Sequence, residues 1–102
     1  MSFKKGGKLY IRIDYEVVSI NDISNEDAQI YLHEHMDYLK KVAKERYFLA
    51  GGFTNTSGGM LLFEAESLKE AQEVANSDPL IKKGFFRCDI FEWTLEIISG
   101  CK

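Results

Sequence analysis

The segment YLHEHMDYLKKV, residues 31–42, carries the chain's only two histidines, His33 and His35. Imidazole takes or gives a proton near neutral pH, so the pair raises either acid/base chemistry or metal binding. On a helix, positions 33 and 35 lie about 200° apart and cannot serve one metal ion. HEHMD also lacks the HExxH spacing of zinc proteases, so the pair predicts no metal site. His33 shares its helix surface with Gln29, Asp37 and Lys40 and reads as a solvated histidine paired with Asp37 at i, i+4. His35 lies one turn from Leu32 and Leu39, at the edge of an apolar stripe, where a partly desolvated imidazole needs a hydrogen-bond partner. Taken alone it is either a satisfied boundary histidine or a general acid/base.

NSDPLIKKG, residues 76–84, holds a second candidate. Asp78 stands at a helix exit, where its carboxylate could cap the short turn after Pro79 or orient an imidazole and stabilise its charged form. Local sequence leaves both roles open. AGGF and SGG have neither GxGxxG nor GxxxxGK spacing and are not phosphate cradles. Gly58-Gly59 suits a hairpin turn, whereas Gly51-Gly52 inside a strand pattern predicts a bulge or a close approach by backbone or ligand. Cys88 falls mid-strand and reads as inert core; with Cys101 it forms neither a CxxC pair nor a disulfide framework.

The elements that must position these groups follow from periodicity. KLYIRIDYEVV (8–18) alternates, with Leu9, Ile11, Ile13, Tyr15 and Val17 on one side and Tyr10, Arg12, Asp14 and Glu16 on the other, which predicts a half-buried strand. Ser24 with Asp27 offers an N-cap, and helical spacing runs from about Asn25 to Arg46 through Leu32, Met36, Leu39, Val42 and Ala43. Residues 47–65 predict a hairpin turning at TNTSGG. Ser67 with Glu70 matches a capping box opening a helix over LKEAQEVANS, which Pro79 limits. FFRCDIFEWTLEI (85–97) is the last strand.

At 102 residues there is room for one core, and the chain divides into an arm (1–7, with Gly6-Gly7 as its hinge), one domain (8–98) and a short tail (99–102). A net charge of −3 with no basic stripe argues against a nucleic-acid partner. No run of about 18 apolar residues exists to span a membrane, and MSFKKGGK lacks the apolar stretch of a secretory signal, so a reduced cytoplasmic setting is expected.

The order strand, helix, strand, strand, helix, strand predicts the α+β ferredoxin-like arrangement, a four-stranded antiparallel sheet with both helices on one face. An RNA-binding sheet of this topology would carry an RNP1 stacking segment, which SGGMLLFEA lacks. In the last strand Phe85, Phe91 and Trp93 share one side with Arg87 and Asp89, while Phe86, Cys88 and Ile90 take the other. Both faces are apolar, so the face without helices needs a covering surface, and a homodimer with sheets face to face is the simplest.

HMDYLKKVAKERYFLAGGF followed by GMLLFEAESLKEAQEVANSDPLIKKGFF resembles the YciI-like (YCII-related) family over roughly residues 30–95. The resemblance rests on a histidine-bearing helix running ungapped into a glycine-rich strand, an apolar strand, an S-x-x-E-A helix and an Asp-Pro pair. It implies a dimeric α+β barrel with a His–Asp dyad. Transferred to this chain, the dyad is His35 with Asp78, which makes His33 the bystander. The glycine-proline that ends the second strand in relatives stands here as Gly52-Phe53, which places these two residues against the substrate and makes the pocket more apolar. An arginine three residues before the histidine is replaced by Leu32, weakening any grip on an anionic substrate, and the aromatic after Asp-Pro is Leu80.

The expected function is therefore a cofactor-free enzyme acting on a small molecule by proton abstraction beside a carbonyl, in isomerisation or elimination, with His35 as acid/base and Asp78 fixing its tautomer. The alternative is a non-catalytic dimeric module for a small ligand or an accessory partner, which needs the pocket and not the dyad.

Overall fold

The computed structural model describes residues 6–18 and 24–100, and the side chain of Asn25 lies outside that description. Residues 1–5 of the predicted arm (1–7), the loop at 19–23 and the last two residues, Cys101 among them, fall outside the described residues. Strands β1 (Lys8–Glu16), β2 (Phe48–Gly52), β3 (Gly59–Phe63) and β4 (Phe86–Thr94) form one antiparallel sheet in the order β2-β3-β1-β4. Helices α1 (Asn25–Ala43) and α2 (Leu68–Asn76) and the single turn α3 (Pro79–Lys82) complete a ferredoxin-like α+β fold.

Local chemistry starts each helix where the sequence predicts. The Ser24 hydroxyl accepts from Asp27 N–H at the head of α1, and Ser67 accepts from Glu70 N–H at the head of α2. Such caps stabilise by about 1 kcal/mol each. Glu70 does not return to its own cap, because its carboxylate takes a 2.6 Å bond from Arg46. Arg46 also donates to the Glu64 carbonyl, so it belongs to the turn into β2 and α1 ends at Ala43, three residues before the periodicity. Pro79 occupies the first turn of α3, where its missing N–H costs nothing, and Asp78 caps that turn.

Register decides which side chains share a face. Phe48–Phe63–Tyr10 and Ala50–Leu61–Arg12–Ile90 form rows beneath the helices, followed by Gly52–Gly59–Asp14–Cys88. Tyr10, Leu61 and Phe63 pack there with Leu39 of α1 and Ala71 of α2, which puts both helices on this face. The alternation expected for β1 is present, but its helix-covered set is Tyr10, Arg12 and Asp14, all nearly inaccessible. The opposite face carries Leu49–Leu62–Ile11–Phe91 and Met60–Ile13. Leu49, Met60, Phe91 and Trp93 are exposed on it.

Three local expectations are corrected. No bulge interrupts β2, whose pairing with β3 runs unbroken from Phe48↔Phe63 to Gly52↔Gly59. The close backbone approach is present, with Gly59 tight against Gly51 and Gly52 and Gly58 tight against Asp14. Gly58 has φ +87°, a Cβ there would overlap the Asp14 carbonyl oxygen, and one at Gly59 would lie 2.6 Å from the Gly51 oxygen. Gly6 and Gly7 are not a loose hinge, because Gly6 N–H donates to Leu95 O and Leu95 N–H donates to Gly7 O. These bonds carry the β1–β4 pairing past Thr94, where the strand ends three residues earlier than expected. No described helix is long and apolar enough to cross a membrane.

Candidate active site

His35 lies on the buried side of α1 in a stripe that includes Ala28, Leu39 and Val42, with its side chain 13% exposed. Leu32 and Met36, expected in that stripe, are exposed. Asp78 is fully buried and reaches His35 across 43 positions of sequence, with Nδ1 2.8 Å from both carboxylate oxygens. The two readings of Asp78 prove compatible, since Oδ1 also accepts from Leu80 N–H at 3.0 Å as the cap of α3. Leu80 is itself buried core. His33 is well exposed and pairs with Asp37 at 3.2 Å, apart from this cluster.

Sequence reasoning missed Arg12 and Asp14. The Arg12 guanidinium forks onto Asp14, Nε to Oδ1 at 2.6 Å and Nη2 to Oδ2 at 3.0 Å, and Nη2 also donates to Asp78 Oδ2 at 2.9 Å. Arg12 is 1% exposed and Asp14 4%. An available signal was the opposite-charge pair at i, i+2 on the strand that this topology places inside the sheet. Charges there need partners within the fold.

The two carboxyls respond differently to this environment. Burial pushes Asp78 up, but the hydrogen bond from His35 and the Arg12 charge outweigh it and hold the group below its ordinary value. Burial lifts Asp14 above its ordinary value despite the Arg12 fork. Burial would depress Arg12, yet the two carboxylates raise it and keep it charged. An ionised Asp78 only accepts, so His35 Nδ1 carries the proton of that bond and Nε2 is the ring nitrogen that Asp78 does not engage.

Linkage gives a stability prediction. Asp78, depressed in the fold, contributes stability above its unfolded pKa that is lost as pH falls through the folded value. Asp14, raised in the fold, acts oppositely and regains stability on acidification. Asp14→Asn removes that compensating limb. The variant is expected to lose more stability than the unaltered chain between about pH 5 and pH 2 in urea titrations, and an equal loss would contradict this balance.

A cleft of about 590 Å³ opens beside the cluster. Met36, Leu39, Lys40 and Ala43 of α1 form one wall, and Phe48, Ala50, Leu61 and the glycines at 51, 52, 58 and 59 form the floor. His35, Asp14, Glu16 and Phe86 close the end, with the Phe86 ring edge-on to His35 at 6.4 Å. Gly52 lies in the cleft. Phe53 does not line it: it stands 41% exposed just past β2, its N–H closing the hairpin onto Gly58 O, because the strand ends at Gly52. The cleft's apolar character comes from Met36, Leu39, Phe48 and Leu61 instead. Among the described residues no group of three or more His, Cys, Asp or Glu is arranged to hold a metal ion.

Fold and site together describe a ferredoxin-like α+β domain in which His35, Asp78, Arg12 and Asp14 form a hydrogen-bonded cluster at the end of an apolar cleft. The YCII-related domain matches residues 10–94, and the chain belongs to that family. It is 35% identical over 69 residues to the uncharacterized protein YjpA of Bacillus subtilis (strain 168), covering 67% of this chain and 81% of that protein. It is also similar in fold to the 5-chloro-2-hydroxyhydroquinone dehydrochlorinase TftG of Burkholderia phenoliruptrix AC1100, solved with 2,5-dihydroxybenzoquinone. The TM-score is 0.61 at 22% identity, over 84% of this chain and 93% of that one.

Proposed function

We propose that this protein is a small-molecule enzyme in which His35 is the general acid/base and Asp78 fixes its Nδ1–H tautomer. The observation that carries the reading is the 2.8 Å contact of Nδ1 with Asp78 at a cleft lined by the same histidine. Nε2 then abstracts a proton beside a carbonyl and returns it to another atom, giving isomerisation, or leaves it as a group departs, giving elimination. Such proton shuttling uses no cofactor. The cleft holds a small body of apolar character, with Asp14, Glu16 and Lys40 as its charged margin. The dehydrochlorinase of similar fold, solved with a small cyclic ligand, supports a small-molecule reading without identifying the substrate.

The exposed apolar sheet face, with Leu49, Met60, Phe91 and Trp93, is read as the contact between two copies of the chain in a reduced cytoplasm. The function is tested by incubating the protein in D₂O with small cyclic ketones, quinones and lactones and following α-proton exchange by ¹H NMR. Exchange that depends on His35 supports the proposal. A compound that binds the cleft with no exchange beyond buffer would favour a ligand-binding module.

A further inference from the structure

The geometry points to Arg12 and Asp14 as positioning residues that fix the orientation and charge of the His35–Asp78 pair, an inference that rests on the acid/base reading above. The Asp78 carboxylate is held from two sides. Leu80 N–H takes Oδ1, and Arg12 Nη2 takes Oδ2. A carboxylate fixed at both oxygens cannot turn about its terminal torsion, so its remaining acceptor capacity faces His35, whose Nδ1 is equally near both oxygens. Arg12 in turn cannot swing away. Its fork is occupied by Asp14, two positions along the same strand, and β1 is bonded to a neighbouring strand on each side. The imidazole is thereby referenced to the interior strand through one charged residue.

Stability does not explain the arrangement. Apolar side chains of similar volume would fill this interior about as well as a buried ion cluster, which is weak evidence for stabilisation. The charge sum is informative as well. One guanidinium faces two buried carboxylates, leaving a net negative environment beside the imidazole, the condition that favours its taking a proton. The other charged or titratable groups around this network are Glu16 of β1 and Lys40 of α1 at the cleft, Cys88 of β4 beside Asp14, and Tyr38 of α1, whose hydroxyl donates to the Val74 carbonyl. Burial pushes the Cys88 thiol up and keeps it neutral, and β2 and β3 present only apolar and glycine residues to the cleft.

The test is the pH titration of both histidines by ¹H–¹⁵N NMR in the full chain and in Asp78→Asn, Arg12→Gln and Asp14→Asn. Removing the Arg12 charge relieves repulsion of the imidazolium, so the His35 midpoint rises by about 0.5–1 unit. Removing the Asp14 charge lowers it by a similar amount, and exposed His33 stays in place throughout. Loosened packing alone has no reason to move the midpoint in opposite directions. Shifts of the same sign, or none while Asp78→Asn still moves His35, would overturn the roles of Arg12 and Asp14 and leave the dyad standing. A His35 midpoint indifferent to Asp78→Asn would overturn the dyad itself. If Arg12→Gln fails to fold, the near-isosteric Asp14→Asn decides alone: a fall supports the inference, and no change or a rise overturns it.

Discussion

Arg12→Leu is expected to cost about 3–5 kcal/mol of folding stability, measured as the change in urea midpoint at constant slope. The cost is not that of the lost bonds alone. The substitution leaves Asp14 and Asp78 buried, close together and without their shared cation. A domain of this size has a total stability of about 5–15 kcal/mol, so the variant approaches its limit at ambient temperature. Exposed ion pairs such as Lys8–Glu92 are screened by solvent and contribute little by comparison. Replacing Asp14 by leucine in the same chain removes one orphaned carboxylate and is expected to recover part of the loss, a non-additivity that identifies a coupled cluster. A cost below about 1 kcal/mol for Arg12→Leu would contradict the network.

His35→Gln carries the largest expected effect on activity. A general acid/base contributes about 10²- to 10⁴-fold, so α-proton exchange on a responsive compound should fall by that factor. Glutamine retains an N–H that can face Asp78, so stability should change far less than in Arg12→Leu and the fold should remain intact. The dissociation constant of the bound compound should stay within a few-fold, because the cleft walls are Met36, Leu39, Phe48 and Leu61 rather than the imidazole. Exchange persisting at the unaltered rate would remove His35 from the chemistry and return the cleft to a binding role.

What could be read from the sequence divides along physical lines. Helix starts were legible because Ser24 and Ser67 advertise them through local hydrogen bonds. Element ends were less so: Arg46 continues the helical period, yet its guanidinium is drawn to Glu70 and the Glu64 carbonyl, contacts that exist only once α2 has docked. The apolar stripe of α1 was misplaced for the same reason. Leu32 and Met36 keep the spacing but stand exposed, Met36 over the cleft, while His35 and Ala28 turn inward.

Asp78 and His35 could be paired only through the family resemblance, since no local pattern links residues 43 positions apart. Arg12 and Asp14 were hidden by their own strand. Leu9, Ile11 and Ile13 made the opposite face look like the covered one, and only the sheet order reveals that the polar set lies beneath the helices. Phe53 illustrates the reverse error. Its neighbour Gly52 lies in the cleft, but one residue past a strand end the chain has already turned into the hairpin.

The central claim is that Asp78 holds His35 as the Nδ1–H tautomer with Nε2 available to substrate. The most direct measurement is the ¹⁵N shifts of both imidazole nitrogens of His35, recorded on the alkaline side of its titration in the unaltered chain and in Asp78→Asn. A predominantly Nδ1–H imidazole that relaxes toward the Nε2–H form in the variant is the result predicted. A His35 already in the Nε2–H form, or one whose tautomer ignores Asp78, would contradict it.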